Sequence, residues 1–342
     1  MTNKEFGSDF ETYLFEEKLD YNKSMQFFPE NTLFTFSGRV ALYSVLHLGI
    51  AEYQWKRIYV PSYYCMEVYD FIEELDIEVV YYECDPYTEN IDSSEVIDDS
   101  SSAFLLVDFF GVNKLNAIAF EKCFLIEDLT HNLGQVKKSK ADYCFGSLRK
   151  VLPMGTGGFL FSHKKRRLPE LANKSFAELV AYKRSVAMFL KKNYLVNDSG
   201  DKNVFREQFI ETEHLFMDKK TISLLPKISF SEMSFLDIDY LVCKKKQNLS
   251  IAKKNIIAND YFKLFTSDAN NDFALILIFS DTVIRDKFRT FLIEKKIYPM
   301  VLWPNQQVDK KGFESKALFV HIDFRYDESD ITFIVDTINS FK

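Results

Sequence analysis

Lys150 lies in the window Tyr143-Cys144-Phe145-Gly146-Ser147-Leu148-Arg149-Lys150-Val151-Leu152-Pro153-Met154-Gly155-Thr156-Gly157-Gly158, which holds four of only 11 glycines in the chain. Glycines crowd where a backbone takes unusual dihedrals or comes close to a ligand. A lysine amine at such a place can attack a carbonyl to form an imine and then relay protons. A second string, Phe124-Leu125-Ile126-Glu127-Asp128-Leu129-Thr130-His131, is an apolar run that ends in acids. It sets Asp128 at the carboxyl end of a strand, where open α/β sheets bind ligands. A carboxylate there could keep a pyridinium nitrogen protonated, the condition under which a pyridine cofactor draws electrons. His131, a little further on, could reach the phenolate side of such a ring. A third string, Phe36-Ser37-Gly38-Arg39-Val40-Ala41-Leu42, opens a long helical pattern. Free N–H groups, the helix dipole and an arginine together make a phosphate site.

Each residue also has an ordinary reading. Lys150 alone would be a solvated lysine beside a turn, Asp128 a helix N-cap, and His131 a hydrogen-bonded core or surface histidine. Ser37 could only cap its helix, and Arg39 could be a surface ion-pair partner. Trp303 and Arg325 invite a substrate-carboxylate role, but packing and a loop ion pair explain them better. Ser147-Leu148-Arg149-Lys150 also matches the Ser-x-x-Lys of serine acyl-transferases. Those enzymes need a downstream Lys-Thr-Gly, which this chain lacks.

The elements that must position these residues follow from periodicity. Between residue 33 and about 165, short β-branched or aromatic runs alternate with helix-period segments, the pattern of βαβ units and a parallel sheet. Strands are expected at 57–60, 77–82, 103–109, 123–127, 143–145 and 158–162, with helices at 39–52, 65–75 and 115–122. Residues 168–190 read as one or two helices, and 197–201 as a loop. A Lys-rich helix over 240–259 precedes a strand at 273–279, a helix at 281–294, strands at 297–302 and 317–322, and a helix at 328–341.

Taken together, the three strings resemble the DegT-type sugar aminotransferases among the fold-type I enzymes that use pyridoxal 5′-phosphate (PLP). Glu127-Asp128 followed by His131 is similar to that family's acidic-Asp-x-x-His/Gln string. Lys150 with Gly155, Gly157 and Gly158 is similar to its Lys-x-x-x-x-Gly-x-Gly-Gly pattern. The resemblance implies Lys150 as the imine-forming lysine and general acid/base, Asp128 on the pyridine nitrogen and His131 near the 3-hydroxyl. It places Ser37, Gly38 and Arg39 on the phosphate. Three positions depart from the family. Cys65 stands where an aromatic ring stacks on the cofactor, leaving Tyr64 or Tyr63 to stack. Phe145 stands at the phosphate serine, leaving that contact to Ser147, which fits the Ser-x-x-Lys spacing of other fold-type I aminotransferases. No Asn-His-Gly-like segment follows the glycine turn, so residues that a partner subunit would contribute are not identified.

The expected fold is α/β, a fold-type I PLP-transferase: a large domain (31–235) with a mostly parallel central sheet flanked by helices, and a small C-terminal α+β domain (236–342). Residues 1–30 are expected to pack on the small domain. The implied function is amino transfer from a donor such as glutamate to a keto nucleotide-sugar for surface polysaccharide. The alternatives are a PLP-dependent sugar dehydratase, in which histidine replaces the lysine, and a silent PLP-fold regulator or assembly protein.

Whole-chain properties fit a soluble enzyme. The chain has 342 residues, of which 47% are hydrophobic, 27% charged and 16% aromatic. A net charge of −7 excludes a large nucleic-acid footprint, which needs a basic surface. The five cysteines form no CxxC pair and read as reduced core residues. No signal-peptide pattern or membrane-length apolar run is present, so a cytoplasmic protein is expected, with a homodimer by analogy with fold-type I enzymes.

Overall fold

A computed structural model describes residues 4–13, 23–87, 90–111, 118, 120–197, 200–266, 273–309 and 311–342. The first part of the chain carries α1 (Lys23–Phe27), β1 (Leu33–Thr35), α2 (Gly38–Tyr53), β2 (Arg57–Pro61), α3 (Met66–Ile72), β3 (Glu78–Tyr82), β4 (Cys84–Asp85), β5 (Asn90–Ile91), β6 (Ser102–Val107), β7 (Phe124–Asp128), β8 (Tyr143–Ser147) and β9 (Gly158–Phe161). The second carries α4 (Ser175–Asn197), α5 (Lys202–Leu215), α6 (Lys227–Ser234), α7 (Ile238–Asn255), β10 (Phe262–Leu264), β11 (Leu275–Phe279), α8 (Thr282–Glu294), α9 (Phe313–Lys316), β12 (Ala317–Val320) and α10 (Glu328–Asn339).

Seven strands form one sheet in the order β1-β9-β8-β7-β6-β2-β3. β3, β2, β6, β7 and β8 are parallel. β9 is antiparallel to both β8 and β1, so β1 points the same way as β8. Every residue of β6 is buried, which the unbroken apolar runs of a parallel sheet require. The carboxyl ends of β1, β2, β6, β7 and β8 therefore share one edge, and the loops that leave it carry Ser37, Tyr64, Asp108, His131 and Lys150.

Strands β10, β11 and β12 form a separate antiparallel sheet. Its two faces separate with period two, as a pleated strand dictates. Leu275, Leu277, Leu318 and Val320 pack with Phe288, Leu292, Ile334 and Ile338. Ile276, Ala317 and Phe319 turn the other way and join Tyr63, Phe110 and Phe104 in the core of the large sheet. At the amino end, Phe6 bridges to Ile297, and the Gly7 N–H donates to the Tyr326 hydroxyl at 2.6 Å.

Two elements differ from expectation. The helix anticipated from residue 168 starts only at Ser175; Pro169 disfavours helical backbone at Leu168. The strand anticipated at 297–302 is reduced to isolated bridges, Ile297 with Phe6 and Met300 with Phe319, since Pro299 cannot donate to a ladder. Of the helix anticipated at 115–122, residues 115–117 and 119 lie outside the described residues, as does part of the 197–201 loop, and the described 118 and 120–122 are not helical.

Candidate active site

Strand β7 delivers Asp128 to the shared edge and buries it. Its Oδ1 accepts from the Thr130 N–H at 2.9 Å and from Thr130 Oγ1 at 2.6 Å, a local turn typical of aspartate. Thr130 Oγ1 in turn accepts the Ser147 N–H at 2.9 Å, which ties the end of β7 to the end of β8. Its other oxygen, Oδ2, accepts from the Tyr64 hydroxyl. Burial raises the Asp128 carboxyl above its ordinary range, and the hydrogen bonds from Thr130 and Tyr64 only partly offset this. Tyr64 is buried too, and burial with the neighbouring Asp128 pushes its phenol well above the usual value.

His131 stands in an aromatic box. Its ring centroid lies 3.9 Å from that of Phe273 and 5.4 Å from that of Trp303, the latter nearly parallel at 19°. Its Nδ1 accepts the Phe110 N–H at 3.3 Å, which leaves the proton of the neutral ring on Nε2. Burial, with Lys245 and His321 nearby, lowers its pKa to about 3, so the ring is neutral at physiological pH. Trp303 also packs edge-on against Tyr63 and Tyr64, at 5.3 and 5.2 Å. Gln306 grips Tyr64 by its backbone, with Nε2 donating to the Tyr64 carbonyl at 2.7 Å and to the Trp303 carbonyl at 3.0 Å. Arg325 pairs with Asp323 at 2.8 Å and Glu11 at 3.0 Å. Trp303 and Arg325 thus take the packing and ion-pair roles anticipated for them.

A cationic group occupies the turn after β8 and the start of α2. Lys150 follows β8 with its side chain 51% exposed, and Nζ lies 3.7 Å from Glu213 Oε1. Arg149 Nη2 reaches the same oxygen at 2.6 Å and Arg39 Nη2 at 3.5 Å, while Arg184 Nη1 reaches Oε2 at 3.2 Å. Arg39 also pairs with Glu67 at 2.8 Å. The adjacent charge of Arg149 lowers the Lys150 amine below its ordinary value, with Glu213 opposing. Burial works to raise the Glu213 carboxyl, but Arg149, Lys150 and Arg184 hold it far below the usual range. Cys65 lies within electrostatic reach of Arg39 and Lys150, and burial raises its thiol.

Backbone packing holds these two strings together. Ser37 caps α2, accepting the Val40 N–H at 3.3 Å. A Cβ on Gly38 would sit 3.1 Å from the Ser147 nitrogen, and one on Gly158 would fall 2.3 Å from the Ser37 carbonyl carbon. At Gly158 only glycine permits the approach, and at Gly38 a Cβ would press on the β8 backbone, so the start of α2, the end of β8 and the start of β9 pack as one unit. Ser37, Gly38, Arg39, Ser147 and Lys150 are thereby brought together, while Asp128, Tyr64 and His131 gather beside them along the same edge. The sequence reading missed Glu213, Arg184 and Gln306, whose sequence surroundings carry no motif, and gave no role to Arg149, which stands beside Lys150 in the glycine-rich window.

No protein-family model matches the chain, and no curated protein matches it. Solved structures do. PseC of Helicobacter pylori, an aminotransferase involved in the biosynthesis of pseudoaminic acid, superposes with a TM-score of 0.64 at 13% identity, covering 98% of each chain. The sugar aminotransferase CalS13 of Micromonospora echinospora gives 0.56 at 15% identity, covering 91% of this chain and 87% of its own. Spr1654 of Streptococcus pneumoniae, in its PLP form, gives 0.62 at 11% identity, covering 97% and 92%. At these identities the likeness carries the architecture, and along nearly its whole length this chain has the α/β fold of the sugar aminotransferases.

Proposed function

We propose that the chain is a PLP-dependent aminotransferase that moves an amino group from a donor such as glutamate to a keto nucleotide-sugar used in surface polysaccharide. The observation that carries this reading is a lysine amine of lowered proton affinity, Lys150, on the same sheet edge as the buried carboxylate Asp128. The residues fit PLP at both ends. Arg39 and Arg149, with the Ser37-capped start of α2 and Ser147, suit a phosphate. Asp128 suits a protonated ring nitrogen, with one exchange: the Tyr64 hydroxyl now on Oδ2 must yield that oxygen.

Bound there, PLP supplies an electron sink for the carbon that loses its proton. Lys150 would provide the amine that anchors the cofactor; once the donor's amine has displaced it, the freed amine would take the proton from the donor's Cα and, in the second half of the reaction, would deliver a proton to the acceptor carbon that comes to bear the new amino group. Asp128 would keep the ring nitrogen protonated, neutral His131 would offer its Nε2–H to the 3-hydroxyl side, and Tyr64 or Tyr63 would cover the ring. Replacing Lys150 with alanine should abolish the visible absorbance of the lysine-bound cofactor; a protein that stays equally yellow would overturn the assignment.

The reading includes a large domain over 31–235 and a small one over 236–342, in the cytoplasm; among the described residues no helix is long and apolar enough to cross a membrane. It also includes a homodimer. On α4, Tyr182, Phe189 and Val196 are 59%, 63% and 60% exposed and recur every seventh residue, the seam a second helix covers. One observation favours the silent relative instead: Tyr64 holds the Asp128 oxygen that the ring nitrogen needs. Conversion of the bound cofactor to its amine form by glutamate, followed by absorbance, separates the two readings.

A further inference from the structure

Glu213 sits near the end of α5, a helix that pairs with α4 behind the Lys150 turn. Its two oxygens receive Arg149 at 2.6 Å, Arg184 at 3.2 Å, Arg39 at 3.5 Å and Lys150 at 3.7 Å. The three arginine side chains are only 5–7% exposed. Buried guanidinium groups so close together repel unless a carboxylate lies among them. Arg39 has Glu67 and Arg184 has Asp9 as further partners. Among the described residues, Glu213 is the carboxylate paired with Arg149 and Lys150. Phe216, one turn on, receives the Arg149 guanidinium over its face at 4.2 Å, so α5 fixes Arg149 with charge and ring together.

We propose that Glu213 is a positioning residue: α5 uses it to hold Lys150, Arg149 and Arg39 in one constellation, so that the α4–α5 hairpin completes the reactive-lysine site from within the same chain. The proposal rests on the reading of Lys150 as the reacting amine, but it concerns the amine's placement and is measured without cofactor. The groups facing Lys150 are Arg149 on its own turn, Arg39 at the start of α2, Cys65 before α3, Glu213 on α5 and, more weakly, His321 beyond β12. Of these, Glu213 favours the protonated amine and the two arginines oppose it. Removing the carboxylate therefore leaves Lys150 among unbalanced cations.

The test is competitive labelling of the cofactor-free full chain with acetic anhydride across pH, with the labelled lysines read by peptide mass. Exposed Lys263 in the same sample serves as the reference. A carboxylate one-third exposed, 3.7 Å from a half-exposed amine, is worth about one pH unit. Glu213→Gln should thus lower the titration midpoint of Lys150 by about one unit while Lys263 stays put. Glu213→Asp, which keeps the charge but draws it back by one methylene, should give a smaller downward shift and covers the case in which the glutamine variant does not fold. Midpoints for Lys150 equal to wild type in every variant that folds would overturn the proposal. The aminotransferase reading fails separately, if Lys150→Ala leaves the PLP absorbance intact.

Discussion

Replacing Tyr64 with phenylalanine removes a single hydroxyl and keeps the ring that the cofactor would stack on. In the folded chain that hydroxyl donates to Asp128 Oδ2, while Oδ1 is held by Thr130. A buried hydrogen bond to a charged group contributes about 1.5–3 kcal/mol. The cofactor-free protein should therefore lose about that much stability, because Asp128 is left with an unsatisfied oxygen. With PLP bound, the ring nitrogen takes that oxygen and the same substitution costs little. The difference appears in affinity: at about 1.4 kcal/mol per tenfold, Tyr64→Phe should tighten PLP by roughly 10- to 100-fold. Denaturant unfolding of the cofactor-free variant and a PLP titration followed by absorbance measure the two halves. Unchanged or weaker PLP binding, together with the expected loss of stability, would refute the idea that the Tyr64 hydroxyl and the ring nitrogen compete for one oxygen.

Two further outcomes are open to test. Glu127 lies on β7 with its side chain turned to Ser139, and burial pushes its carboxyl up to about 8, with Asp108 and Asp128 adding to the rise. The folded chain then keeps a proton that the unfolded chain gives up, so the favourable contribution is complete below the ordinary glutamate pKa and fades as pH rises towards 8. Glu127→Gln should stabilise the protein at pH 7 by about 2–3 kcal/mol and hardly at all at pH 4.5; an equal gain at both, by denaturant unfolding, contradicts the assignment. Separately, Phe189→Glu places a charge on the exposed seam of α4 and should halve the mass measured by light scattering, whereas an unaltered dimer places the contact elsewhere.

The parts of the site that were legible are those written in adjacent residues. The place of Asp128 at the end of β7 follows from an apolar strand ending in acids, and the tight turn that carries Lys150 follows from glycines whose crowding is visible at Gly146 and Gly158. Alternation also suits β12, where successive residues serve two cores. Glu213 was not legible because its partners lie far off in the chain and a glutamate on a charged helix has no distinguishing neighbour. Tyr64 was read as a stacking ring, an inference from family spacing that gave no hint of its hydroxyl on Asp128. The 297–302 segment shows the limit of counting apolar residues: its run is strand-like, but Pro299 removes the donor that a ladder needs.

The two ends of the site are poised in opposite electrostatic senses. At one, Arg149 and Arg39 gather with Lys150 on Glu213, and their charges, against the opposing pull of that carboxylate, lower the proton affinity of Lys150 and enlarge the fraction of amine free to attack a carbonyl. At the other, burial raises Asp128, so that its ionised form gains most from a cation placed beside it. An anion delivered near Arg39 and Arg149 stabilises the first end, and a protonated nitrogen beside Asp128 stabilises the second. A molecule that carries both charges on one rigid ring, with an aldehyde for Lys150, satisfies the two at once. On the proposed reading PLP meets both demands, whereas a simple phosphate ester supplies the anion but leaves Asp128 paired with Tyr64.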